Sequence, residues 1–107
     1  MPILYRYQTE SGDEPITEWL SGLRDKNASA AIRVRLRRVE AGNFGDCKSV
    51  GGGVLELRVD VGAGYRVYCA RRGVEIVILL CGGDKRTQTA DIQAAKRYWV
   101  DFKRRNA

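Results

Sequence analysis

The chain has 107 residues, enough for one domain with one core and too few for a second. Its 19 basic and 13 acidic residues leave a formal charge of +6 with no histidine, which favours an anionic partner and removes the usual neutral-pH proton carrier. No apolar run reaches the roughly 18 residues of a spanning helix, and MPILYRYQTE does not read as a basic-then-apolar leader, so no membrane association and a cytoplasmic location are expected.

Ile3 to Gln8 alternates as a first strand and Ser11-Gly12-Asp13 ends it. Pro15 suits a first helical turn, because its missing N–H would be unpaired there. Ile16, Trp19, Leu20 and Leu23 then fall at i, i+3, i+4 and i+7, the stripe of a helix from about Pro15 to Arg24. Asn27 offers a cap for a second helix. Its buried stripe would be Ile32, Leu36 and Val39, with Arg33, Arg35, Arg37 and Arg38 as a solvated face, and the two helices read as a hairpin.

Gly42 to Gly53 holds five glycines without periodicity and reads as a loop. Val54 to Asp60 alternates, with Leu55, Leu57 and Val59 on one face and Glu56, Arg58 and Asp60 on the other. After a Val61-Gly62-Ala63-Gly64 turn, Tyr65 to Arg71 puts Arg66 and Tyr68 on one face. Val74 to Cys81 is almost continuously apolar and reads as a central strand covered on both sides. A helix from about Thr87 to Arg104 would bury Ile92, Ala95, Trp99 and Phe102. The order β-α-α-β-β-β-α predicts an α+β fold, a small antiparallel sheet with helices on one side. The other side would stay partly open and present Glu56, Arg58, Arg66 and Tyr68.

Cys47, Cys69 and Cys81 show no C-x-x-C spacing and have no histidine to complete a zinc site, so they read as reduced, small hydrophobes. Arg66 is a lone cation inside a strand, and Arg58 on the same face can lie beside it. Two such guanidiniums repel, and a phosphate between them relieves the repulsion by bidentate bonding; a salt bridge of either with Glu56 or Asp60 is the structural alternative. Gly82-Gly83-Asp84-Lys85-Arg86 leads from the apolar strand into the last helix, where a basic turn attracts an anion. Glu56 and Asp91 are the candidate proton acceptors and Tyr68 a hydrogen-bond donor, although Asp91 also suits a plain helix-start carboxylate.

Three segments, GNFGD at Gly42 to Asp46, ELR with GYRVY at Glu56 to Tyr68, and CGGDK at Cys81 to Lys85, resemble the killer toxins of the RelE/ParE superfamily, in particular HigB-like addiction-module killer proteins. The resemblance implies a RelE-like fold and a type II toxin that cleaves mRNA on the ribosome without metal or other cofactor, by attack of a 2′-OH on its own phosphate. It implies that Arg66 contacts the scissile phosphate and that Lys85 or Arg86 is the basic residue that aids cleavage. The implied partners are the ribosome with its mRNA and an antitoxin from the adjacent gene, often a helix-turn-helix protein. The chain departs from RelE at Ile92, where a tyrosine is usual, and at Glu56-Leu57-Arg58, where RelE has Lys-x-Lys. A ParE-like inhibitor of DNA gyrase, or an inactive toxin fold kept as a binding module, is the alternative.

Overall fold

A computed structural model describes residues 1–107. The elements are β1 (Ile3–Arg6), α1 (Pro15–Gly22), α2 (Lys26–Glu40), β2 (Cys47–Gly51), β3 (Val54–Val59), β4 (Tyr65–Arg72), β5 (Ile76–Asp84), a 3-10 turn (Lys85–Thr87) and α3 (Gln88–Arg105). Helix α1 begins on Pro15, as its fixed φ favours. Helix α2 is capped by Asp25, whose carboxylate accepts the Ala28 N–H at 3.1 Å, and Asn27 lies inside the helix.

The strands form one sheet in the order β1-β5-β4-β3-β2. β3, β4 and β5 pair as the expected antiparallel meander, whereas β1 runs parallel to β5, Ile3 opposite Ile76. The sheet is therefore mixed and not purely antiparallel. β1 pairs with β5 rather than with the next strand in the chain, and the intervening helices make the long connection that parallel pairing requires. Part of the expected loop is also strand: β2 pairs with β3, and Gly51, Gly52 and Gly53, at φ of 94°, 64° and 83°, turn the chain between them.

Helices cover both faces, which corrects the one-sided packing expected above. α1 and α2 pack Ile16, Leu20, Ile32, Leu36 and Val39 on Leu57, Val67, Cys69, Val77 and Leu79. α3 packs Ala95 and Trp99 on Val54, Tyr68, Ala70, Ile78 and Leu80 of the opposite face. The physical reason lies in β5: its apolar side chains point both ways, and the first two helices already occupy one side. Glu56 and Tyr68, expected on an open face, are in consequence fully buried.

β5 carries a bulge. Tyr68 pairs with Cys81 while Cys69 pairs with Leu79, so Leu80 is the extra residue, and Leu80 and Cys81 both face α3. Beyond it the strand continues through two glycines that permit close approach from opposite sides. A Cβ on Gly82 would stand 2.3 Å from the Trp19 ring, and one on Gly83 would stand 1.8 Å from Asp91 Oδ2. No helix is long and apolar enough to cross a membrane.

Candidate functional site

Strand register sets two rungs across the α3 face. Lys48, Glu56, Tyr68 and Cys81 are successive partners in the first, and Arg58, Arg66 and Gly83 in the second. The first rung meets the start of α3, where Gln88 reaches Glu56 and the Asp91 carbonyl accepts from the Cys81 thiol. The second rung opens into a groove of about 380 Å³, lined by Arg58, Arg66, Lys85, Tyr65, Asp46 and Asp60 among others.

Glu56 is the hub. Its Oε1 accepts from Arg58 Nε at 3.2 Å and lies 4.0 Å from Lys48 Nζ. Its Oε2 accepts from Gln88 Nε2 at 2.8 Å and from the Tyr68 hydroxyl at 3.0 Å, with Arg66 Nε at 3.6 Å. Burial works to raise the carboxyl's pKa. The hydrogen bonds from Gln88, Arg58 and Tyr68, with the charge of Arg66, outweigh it and hold the pKa below the ordinary glutamate value. Tyr68 is shifted the other way, above an ordinary phenol, first by burial and then by the Glu56 charge. At neutral pH Glu56 therefore accepts and Tyr68 donates, a fixed pair that orients the cations around it.

Arg66 is 9% exposed, and its buried Nε has no hydrogen-bond partner. A guanidinium carries five donors, and leaving a buried one unmade costs about 1–3 kcal/mol. The nearest anion, Glu56, sits just beyond hydrogen-bond distance and already accepts from three other groups. Arg58, directly opposite, has a side chain 39% exposed. The second rung therefore presents two cations to the groove around one shared, nearly saturated carboxylate, an arrangement suited to an incoming anion.

The remaining expected residues divide. Lys85 lines the groove, and its N–H donates to the Gly64 carbonyl at 3.2 Å, which ties the β3–β4 turn to the end of β5. Arg86 turns away: its side chain is 86% exposed and pairs with Asp84 at 3.0 Å. Asp91 lies over Gly83, with Oδ2 accepting from the Thr87 hydroxyl at 2.5 Å. The fold thus brings Glu56, Arg58, Arg66 and Lys85 together, sets Asp91 at their border and leaves Arg86 outside.

Two residues, Gln88 and Arg35, were missed by sequence reasoning, whereas Lys48, in the stretch after GNFGD, was within expected reach of this face. Lys48 and Gln88 contact Glu56 from β2 and from the first turn of α3. A stretch without periodicity hides the strand that carries Lys48, and a glutamine at a helix start gives no sign of its partner. Arg35, read as solvated, instead donates to the carbonyls of Phe44 and Asp46 at 2.7 Å each and to that of Arg58. It pins the Gly42–Asp46 segment to the strand that carries the site.

A family model described as phage-derived protein Gp49-like matches residues 18–99, from within α1 to within α3, and so spans every residue of the site. A protein of Haemophilus influenzae, described as an uncharacterized protein, is 55% identical over 78 residues, 73% of this chain and 79% of the relative.

Proposed function

Because the chain belongs to the Gp49-like family, a phage-derived, toxin-like family associated with toxin–antitoxin modules, we propose that it is the toxin of a type II pair and cleaves mRNA on the ribosome. The observation that carries this reading is Arg66, a nearly buried guanidinium whose Nε has no partner, at a groove shared with Arg58 and Lys85. A phosphodiester in that groove supplies acceptors for the terminal nitrogens of this guanidinium, which no side-chain or backbone oxygen of the fold engages. Arg66 takes the scissile phosphate and stabilises the charge that grows on its oxygens, while Arg58 and Lys85 hold the backbone on either side. The 2′-hydroxyl loses its proton as its oxygen attacks the adjacent phosphorus, and the 5′-oxygen leaves and takes a proton from water, giving a cyclic phosphate and a new 5′-hydroxyl.

In this reading Glu56 acts on the guanidiniums and not on the proton, since it is fully buried, already accepts three hydrogen bonds and has a lowered pKa. Asp91, at the border of the groove with an oxygen, Oδ1, that accepts no hydrogen bond, is taken as the proton acceptor of the scheme. Arg86, outside the groove, steers RNA by charge alone. The same cationic surface fits an antitoxin as the silencing partner.

The test is cleavage of a defined message by purified protein with and without translating ribosomes, with 5′ ends mapped by primer extension. New ends in codon register, appearing only with ribosomes and reduced about 100-fold or more by Arg66→Ala, are expected. Cleavage at the wild-type rate by that variant would overturn the assignment of the site. Double-strand DNA breaks and gyrase inhibition without RNA ends would replace the whole reading with the ParE-like one.

A further inference from the structure

β1 ends the sheet beyond β5, and its outer edge has no strand neighbour. Its ladder uses alternate residues: the N–H groups of Ile3 and Tyr7 donate to the carbonyls of Glu75 and Leu79 at 2.7 and 2.9 Å. In a parallel pair the intervening residues turn their N–H and C=O the other way. Leu4 and Arg6 therefore present theirs outward, a template for one more strand.

Two grooves flank this edge, each lined by apolar side chains and arginines, and they differ in whether those arginines are already engaged. On the α3 side a cavity of about 380 Å³ is walled by Tyr5, Ile76, Ile78 and Phe102, its arginines Arg72 and Arg105 already held by the Asn106 carbonyl and by Asp101, and Ile3 and Tyr5 are 55% and 50% exposed. On the α2 side a cavity of about 260 Å³ has leucines such as Leu4 and Leu36 in its lining together with Arg6, Arg33 and Arg37, with Glu40 as its one carboxylate. The chain's ion pairs engage none of these three arginines, and Arg6 donates only to the Thr17 hydroxyl.

A strand laid on the edge sends its side chains alternately to the two sides. We propose that the outer edge of β1 and its two grooves form a docking site for an extended segment of a partner protein in which apolar residues alternate with acidic ones. The apolar side chains enter the groove of Tyr5, Ile76 and Phe102, and the carboxylates meet Arg6, Arg33 and Arg37. Charge decides the occupant. A second copy would bring the same arginines together on two chains of +6 each, and RNA would leave the apolar groove unfilled. Equating this partner with the antitoxin rests on the function proposed above; the surface itself does not.

The probe is a fluorescein-labelled peptide of about nine residues alternating valine and glutamate, long enough for one strand, titrated into the full chain by anisotropy. It should bind, and an isomer with its valines and glutamates in separate blocks should not. N-methylation of one alternate set of peptide amides should abolish binding while methylation of the other set preserves it, which charge attraction alone would not produce. Arg33→Glu with Arg37→Glu should weaken binding roughly tenfold or more, and Arg66→Ala should leave it unchanged. Equal binding of the two isomers, indifference to which amides are methylated, displacement of the peptide by oligouridylate, or a concentration-dependent dimer in its place would each overturn the proposal. The readout involves neither RNA cleavage nor growth, so its failure leaves the nuclease reading standing, and the converse also holds.

Discussion

The two faces of the sheet are made by the same three strands and are built to opposite ends. Under α1 and α2 the buried set is wholly apolar, with Ile16, Ile32, Val39, Leu57, Cys69 and Val77 all at 0% exposure. Under α3 it includes Glu56 and Arg66 beside Val54, Tyr68 and Trp99. Replacing a buried ion pair by apolar side chains of similar size is often neutral or stabilising. A charged rung kept on one face alone is thus hard to explain by stability, and the unpaired donor of Arg66 points the same way. One face holds the molecule together, and the other holds cations in place for an anion.

Truncation should break the faces differently, and the largest effect is expected at the hub. Glu56→Ala leaves Tyr68, Gln88 and Arg66 around a buried gap and should lower unfolding free energy by about 3–5 kcal/mol. Ile32→Ala on the apolar face should cost about 2–5 kcal/mol through the cavity it opens. Urea titration measures both. Cleavage per folded molecule should fall for Glu56→Ala and persist for Ile32→Ala, and a parallel loss in the two variants would erase the division of labour.

Arg66→Ala should be the reverse of Ile32→Ala. Removing a nearly buried cation that makes no hydrogen bond, from a carboxylate that keeps three, should cost less stability than Ile32→Ala, whereas the rate loss is worth about 2.7 kcal/mol or more. Circular-dichroism melts run beside the cleavage assay separate the two quantities. A melt lowered as far as that of Ile32→Ala would make Arg66 a structural residue.

Acid should act through the α3 side first. The Glu56 carboxyl lies below its ordinary value, and Asp101 on α3 is lowered to about 2 by the hydrogen bonds of Tyr7 and Arg105. Groups whose pKa is depressed by folding contribute stability above their unfolded values and lose it as pH falls through the folded ones. The urea midpoint should therefore drop below about pH 4.5, and Glu56→Gln should flatten the upper part of that fall. An unchanged acid limb in that variant would assign the loss to Asp101 and its partners Tyr7, Arg104 and Arg105.

What the sequence revealed about this division follows from periodicity. Alternation placed Glu56, Arg58, Arg66 and Tyr68 on one face and the leucines and valines on the other, and the register bears this out, with Arg58 opposite Arg66. The apolar run of β5 announced cover on both sides, yet the helices were assigned to one, because a helix stripe such as Ala95 and Trp99 shows that a helix packs without showing on which face. β2 was hidden by Gly51 to Gly53, which erase alternation where the chain turns. Arg35 looks in sequence like Arg33 and Arg37. Only the carbonyls that a folded loop brings within 2.7 Å distinguish it. The rung was legible; its second layer, Lys48 and Gln88, depends on contacts across strand and helix that no local pattern encodes.

The smallest expected effect compares the two faces with matched probes. Cys69 lies under α1 and α2 at 0% exposure, and Cys81 lies under α3 at 7%. Burial pushes both thiols up to about 12, so their intrinsic reactivity is alike and a difference in labelling rate reports how readily each face opens. Cys69 is sealed by side chains from two helices and should react only on global unfolding. The Cys81 thiol donates to the Asp91 carbonyl at 3.6 Å in the first turns of α3, over a charged rung, and fraying of those turns suffices to release it. In single-cysteine variants Cys81 should be modified about tenfold faster than Cys69, an opening free energy lower by about 1.4 kcal/mol, with the half-buried Cys47 faster than either. Equal rates for Cys69 and Cys81 would mean that the two faces open as one unit, so that the charged rung makes its own face no easier to open than the apolar one.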